Sequence, residues 1–193
     1  MLTSRRYTGP VTTTRREQIL ATAATLFAER GFHGVSVHDI GSACGISGPA
    51  LYKHFAGKDD ILTQSLIAIS ERLLEQGRSR SETARDADDA LTALIDWHIE
   101  FALGDRALIV IQEREWANLD ADGRREVRAL QLAYIDIWVD TVRQLRGDLD
   151  APEARAVVQA TFGLINSTPH SARISESSMA SRLGRMARAA LQA

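Results

Sequence analysis

Apolar residues recur at three- and four-residue intervals along most of the chain, and no segment alternates apolar with polar positions as a half-buried strand would. The pattern predicts an all-α fold of about nine helices. Thr14 with Glu17 three residues on forms a capping box for a first helix that ends at Gly31, with Ile19, Ala23, Leu26, Phe27 and Arg30 on one face. Ser36 caps a second helix whose inward side is Val37, Ile40 and Cys44. Gly45 supplies the positive φ of a turn, and Ser47 opens a third helix with Pro49 in its first turn and Leu51 and Phe55 facing inward. A fourth helix is expected from Lys58 to about Gly77, followed by a polar loop over Arg78 to Asp89.

The later helices follow from the same periodicity. The fifth starts at a cap on Asp86 or Asp88, carries Leu91, Leu94, Ile95, His98, Ile99 and Ala102, and ends at Gly104. The sixth runs from Asp105 or Arg106 to about Leu119. A long seventh, Asp122 to Arg146, shows one stripe of Leu130, Tyr134, Ile137, Trp138, Thr141 and Leu145. Asp150 with Glu153 caps an eighth, which Pro169 stops. The ninth, from about Ser175 to Leu191, presents Met179, Leu183, Met186, Ala187 and Ala190 beside the small Ala180 and Gly184.

Between Ser36 and Leu62 the pattern carries chemistry. Two short helices meet at a glycine and share a small core, which leaves Ser47, Gly48, Pro49, Ala50, Tyr52, Lys53 and His54 outward, with Lys58 at the start of the next helix. Small residues at the start of a helix allow close approach to base edges, while Tyr52, Lys53, His54 and Lys58 can bond phosphates on either side. Ser36 and Val37, at the start of the preceding helix, complete the expected contact set. The layout is that of a helix-turn-helix docking on double-stranded DNA. Gly48, Pro49 and Ala50 offer shape and methyl contacts rather than a bidentate donor code, so no operator sequence follows from them.

These spacings resemble the TetR family of transcriptional regulators over Thr14 to Leu62. Gly31, Ser36, Val37, Ile40, Gly45, Ile46, Ser47, Leu51, Tyr52, His54, Phe55, Lys58 and Leu62 stand where that family's motif requires them. Gly41 replaces the usual alanine, and Gly57 the usual serine or asparagine cap. The resemblance implies a flexible arm over residues 1–12, a DNA-binding head over 13–60 and a ligand-binding and dimerisation body over 61–193. It also implies a homodimer through the eighth and ninth helices, whose two-fold axis matches a palindromic operator. The implied function is that of a repressor released from DNA by a small effector.

Charge refines this picture. The chain carries a net charge of −2, yet residues 1–60 hold seven Lys/Arg against five Asp/Glu, and the only two lysines are Lys53 and Lys58. A modestly basic head on an acidic body suits phosphate contact by a few placed groups. Arg5 and Arg6 in the arm, with Arg15 and Arg16 nearby, are further candidates for phosphate or minor-groove contact. No apolar run is long enough to span a bilayer, and no secretory signal opens the sequence, so a cytoplasmic location is expected. The lone Cys44 sits on an inward helix face, as an inert thiol would.

Aromatic residues gather on the fifth to eighth helices: Trp97, Phe101, Trp116, Tyr134, Trp138 and Phe162. Polar residues interrupt the apolar faces beside them, namely His98, Gln112, Glu115 and Asn166. With Ile111 these form a candidate effector pocket, apolar with a few inward polar groups. An acyl-coenzyme A or fatty acid would use Arg106, Arg114, Arg143 or Arg173 for its charged end. An aromatic or cationic compound would stack on tryptophan and meet Glu113 or Glu115. The first class is slightly favoured by the number of arginines. No HExxH, GxSxG, Walker loop, glycine-rich dinucleotide turn or cysteine cluster is present, so an enzyme is the weaker reading and neither metal nor cofactor is expected. A helical module that binds protein is the other alternative; Tyr52, Lys53 and Lys58 on one exposed face match phosphates better than a protein groove.

Overall fold

A computed structural model describes residues 14–193, and every regular element among them is helical. The expected arm over residues 1–12, with Arg5 and Arg6, lies outside the described residues. The elements are α1 (Arg15–Arg30), α2 (Val37–Ala43), α3 (Gly48–Leu51), α4 (Lys58–Thr83), α5 (Ala87–Gly104), α6 (Arg106–Arg114), α7 (Ala121–Leu145), α8 (Ala151–Asn166), α9 (Thr168–Ser171) and α10 (Glu176–Gln192). A short 3₁₀ turn, Trp116–Asn118, follows α6. Nine of the helices correspond to those expected; α9 is a single turn carrying Pro169 near its start.

Caps set most boundaries. Capping boxes join Thr14 with Glu17, Ser36 with Asp39 and Asp150 with Glu153, while Asp86, Asp120 and Ser175 each accept a backbone N–H at their own helix start. Gly31 and Gly45 adopt φ of 74° and 66°, the conformation that ends α1 and turns α2 into α3. Three expectations are corrected. Arg30 is exposed rather than part of the buried face of α1. The sixth helix ends at Arg114, five residues early, and the fourth runs to Thr83, so the long polar loop shrinks to Ala84–Asp86.

Gly77 explains the last difference. A Cβ there would lie 2.5 Å from Cε2 of Tyr134, so the missing side chain admits α7 against α4 in mid-helix and ends nothing. Gly123 does the same further along the crossing, where a Cβ would meet Thr63 at 2.6 Å.

Two apolar cores result. One joins α4, α5, α7, α8 and α10 around Trp138, Leu94, Val158 and Leu183. The other holds α1, α2 and α3 through Ile19, Phe27, Ile40, Leu51 and Phe55, and is completed by Ile61, Leu62, Leu66 and Ile67 of α4, Ile111 of α6, Leu119, and Val127 of α7. The head therefore has no core of its own that stops at residue 60. Its burial is finished by the body, and α4 belongs to both.

Candidate functional site

The surface expected to meet DNA is built by α2, the Gly45 turn and α3. Ile40, Leu51 and Phe55 are buried at 0%, 0% and 2% exposure and fix the two helices against α1. Helical hydrogen bonds continue past Leu51, from Tyr52 N to Gly48 O and from Phe55 N to Leu51 O, so the side chains beyond α3 keep helical spacing. Ser47, Pro49, Tyr52, Lys53 and His54 are exposed and Gly48 and Ala50 half-buried, with Tyr52 at 57% exposure. Ser36 is exposed but its hydroxyl is committed to the capping box with Asp39, and Val37 is half-buried against the head core.

Lys58 is placed differently from the expectation of a free phosphate ligand. Its ammonium donates to the carbonyls of Phe32 and Val35, both at 3.0 Å, and sits 4.3 Å from the centre of the Phe32 ring. The link between α1 and α2 has two carbonyls with no helical partner, and Lys58 satisfies both from the first turn of α4. Arg15 and Arg16 are likewise engaged within the protein, Arg15 donating to Cys44 O at 2.7 Å and Arg16 to Gln64 Oε1 at 2.8 Å. Cys44 is half-buried.

Ten of the eleven candidate pocket residues divide into three groups. His98, Phe101, Tyr134, Trp138, Phe162 and Asn166 come together between α5, α7 and α8. The His98 and Phe162 rings stack at 4.4 Å and 12°, Tyr134 lies 5.7 Å from Phe162 at 24°, and Trp138 meets Phe162 edge-on at 5.0 Å. His98 Nε2 is 3.1 Å from Asn166 Oδ1, so that nitrogen carries the proton and Nδ1 is left as an acceptor, 3.4 Å from the Tyr134 hydroxyl. Burial holds the His98 imidazole down to a pKa of about 4 and pushes the Tyr134 phenol up, so both are neutral. The Trp138 indole N–H neighbours Tyr134 but has no partner within hydrogen-bond geometry.

Ile111, Glu115 and Trp116 are not on this cluster; they dock the body to the head. Ile111 and Trp116 pack into the head core. Glu115, 6% exposed, accepts the Phe32 N–H at 3.2 Å and the Asn118 amide at 2.8 Å, and its neighbour Arg114 donates to Ala28 O at 3.1 Å. The apolar run before them made these residues look like pocket walls, but it faces the end of α1. Trp97 forms the third group: it is buried beneath the guanidiniums of Arg80 and Arg72 on α4, at 4.6 and 5.8 Å. Gln112 is half-buried on α6. Of the arginines expected at a pocket mouth, Arg114 belongs to the joint, Arg143 and Arg173 are exposed, and Arg106, at the start of α6, is half-buried with its Nε without a hydrogen-bond partner.

Sequence reasoning missed Gly77 and the inward role of Lys58. A lone glycine in an unbroken helical pattern was the available signal for the first. For the second there was none, because the carbonyls that Lys58 meets are 23 and 26 residues away.

Two family profiles match the chain: bacterial regulatory proteins of the tetR family over residues 19–64, and the tetracyclin repressor-like C-terminal domain over residues 84–170. The HTH-type transcriptional repressor KstR2 of Rhodococcus jostii (strain RHA1) is 29% identical over 143 residues, 70% of either chain. A TetR-family transcriptional regulator from Bordetella parapertussis 12822 superposes with a TM-score of 0.78 at 27% identity, over 89% of this chain and 93% of that one. The ketosteroid transcriptional regulator KstR2 of Mycobacterium tuberculosis superposes with a TM-score of 0.71 at 25% identity, over 96% of each.

Proposed function

The chain belongs to the TetR family of bacterial regulatory proteins, and from that premise we propose that it is a homodimeric repressor whose hold on a palindromic operator is released by a small hydrophobic effector. The observation that carries this reading is the path of α4. Its first turn binds the head, where Lys58 holds the Phe32 and Val35 carbonyls, and its sixth turn touches the aromatic cluster, where Gly77 meets the Tyr134 ring. A molecule that enters the cluster moves Tyr134, and Tyr134 has no clearance from the α4 backbone. The second connection runs through α6, whose end grips α1 by Arg114 and Glu115. A ligand that favours a displaced α4 therefore shifts the spacing of the two recognition surfaces in a dimer.

DNA contact is assigned to the exposed set of Ser47, Pro49, Tyr52, Lys53 and His54, with Gly48 and Ala50 allowing close approach. Ser36 and Val37 position α2, and Lys58 acts from inside. Dimerisation is assigned to α8 and α10, where Ala156, Ala160 and Gly163 on one helix and Met186, 52% exposed, and Ala189 on the other are uncovered. Among the described residues no helix is long and apolar enough to cross a membrane, which fits a regulator that must meet DNA.

The test is binding to the DNA upstream of the chain's own coding sequence. Fluorescence anisotropy is expected to show specific binding that Tyr52→Ala weakens by at least about tenfold with no change in thermal unfolding. Equal affinity of wild type and variant, or no preference over random DNA, sinks the reading.

A further inference from the structure

The aromatic cluster holds an unanswered hydrogen-bond donor, and this restricts what can bind there. Trp138 is 0% exposed and its indole N–H has no partner. Beside it the Tyr134 hydroxyl donates to His98 Nδ1 at a long 3.4 Å, while the other side of that imidazole is fixed by Asn166. Two donors thus stand side by side on neighbouring turns of α7; the Tyr134 oxygen is the nearest acceptor for the Trp138 N–H but lies outside good hydrogen-bond geometry, and His98 Nδ1 is a distant one for the Tyr134 O–H. A buried donor without a partner is costly, and whatever supplies an acceptor there regains that cost.

The remaining walls carry no formal charge. His98, Phe101, Tyr134, Trp138, Phe162 and Asn166 are neutral, and Arg80, the nearest cation felt at Tyr134, is spent on the Trp97 ring and on Gln76. An ionised carboxylate entering the cluster would lose its hydration and meet only the outlying charge of Arg80, already engaged with Trp97 and Gln76. An ammonium would find no carboxylate. Shape adds a second restriction, since His98, Tyr134 and Phe162 present nearly parallel faces and Phe162 alone of the five rings is half-buried. A flat molecule that displaces Phe162 would lie along those faces with its edge toward Trp138 and Tyr134.

Resting on the reading above that this cluster is the effector site, the geometry points to a neutral, flat, apolar effector bearing a carbonyl oxygen, which the Trp138 N–H and the Tyr134 O–H bind together. The slight sequence preference for an acyl-coenzyme A or fatty acid is narrowed: at this cluster an acyl group is held by its uncharged carbonyl, as in a thioester, ester or ketone, and a free carboxylate is disfavoured.

The test uses four probes on one ring system: 2-acetylnaphthalene, 2-ethylnaphthalene, 2-naphthoate and 2-naphthylmethylammonium, titrated calorimetrically into the full-length protein at neutral pH. The ketone is expected to bind at least about tenfold more tightly than the other three, and Trp138→Phe is expected to bring it level with 2-ethylnaphthalene. Tyr134→Phe, which removes the other donor and keeps the ring, should lower the same margin if Trp138→Phe fails to fold. Tighter binding of the naphthoate or the amine, a ketone margin that both variants preserve, or no binding by any probe overturns the proposal. Operator binding by the ligand-free protein is measured alongside: if it is intact while the ketone fails, this inference falls and the regulator stands, and if it is absent while the ketone binds, the reverse holds.

Discussion

At the joint between head and body, the end of α6 and the start of α4 answer the polar groups they take out of water. Both oxygens of Glu115 are occupied, by the Phe32 N–H and the Asn118 amide, and Lys58 and Arg114 cover the carbonyls of Phe32, Val35 and Ala28. Some distance along α4, the aromatic cluster is as deeply buried and far less satisfied: Trp138 has no acceptor and Tyr134 only a distant one. A satisfied joint resists change and carries displacement from one body to the other. An under-satisfied cluster gains by admitting a ligand. On the proposed function the difference suits the first region to transmission and the second to reception, and both are tied to the same helix.

The sharpest way to break this division is at Gly77, where reception meets transmission. Gly77→Leu forces a side chain into space held by the Tyr134 ring, whose Cε2 lies 2.5 Å from where a Cβ would be. Overpacking at such a crossing costs on the order of 3 kcal/mol, read as a large drop in thermal midpoint. If the variant folds, it should also behave as though ligand were already bound, with weakened operator affinity and little further response to effector. A folded Gly77→Leu protein with unchanged operator affinity would separate α4 from the switch.

A pH titration sharpens the contrast on the receptive side. Burial lowers the His98 pKa from about 6.5 to about 4. The unfolded chain therefore binds the extra proton first, so stability is full above about pH 6.5 and is lost as pH falls through the window down to about 4. The total loss is about 3 kcal/mol. Asp89 and Asp148, whose pairing with Arg85 and Arg146 lowers them to about 2, lose their contributions at more acid pH. His98→Met should flatten the stability profile between pH 7 and 4.5 relative to wild type; parallel profiles would remove the buried neutral imidazole from the account.

Much of this was readable in the chain because its signals are local. The capping boxes at Thr14, Ser36 and Asp150, the turn at Gly45 and the inward Ile40, Leu51 and Phe55 each depend on neighbours within a few residues, and these fix the head. Six of the eleven pocket candidates meet in one cluster, since long helices with aromatic stripes leave few ways to pack. What stayed hidden depends on contacts across the chain. Glu115 answers Phe32 from 83 residues away, and an apolar stripe on α6 looks the same whether it faces a pocket or the end of α1. Gly77 shows no local sign of the ring that occupies its place. Lys58 sits in a motif that points to DNA, and only the positions of two distant carbonyls turn it inward.

On the transmitting side, Glu115→Ala leaves the Phe32 N–H and the Asn118 amide without their acceptor in a buried place and is expected to cost about 2 kcal/mol. Glu115→Gln keeps an acceptor oxygen and should recover more than half of that stability. The effector response should separate the two regions: Glu115→Ala is expected to keep ligand affinity while the ligand releases operator less completely. Loss of ligand affinity in Glu115→Ala, measured calorimetrically, would return this residue to the pocket and undo its assignment to the joint.

The two lysines provide the smallest and most discriminating pair, because the same charge change is made five residues apart with opposite expected readouts. Lys58→Met removes two hydrogen bonds to backbone carbonyls and the contact with the Phe32 ring, while the methionine stem keeps most of the packing, so unfolding should become easier by about 1 kcal/mol. Lys53 is exposed, and nothing in the head depends on it, so Lys53→Met should leave the unfolding curve in place. On DNA the order reverses. Lys53→Met should reduce the dependence of log K on log salt by about one phosphate's share, roughly 0.9, whereas Lys58→Met should lower affinity with the slope nearly unchanged, since its charge faces the protein. A reduced slope in Lys58→Met with an unaltered unfolding curve would show that this ammonium leaves the Phe32 and Val35 carbonyls for the phosphates, and the joint would then be assembled without it.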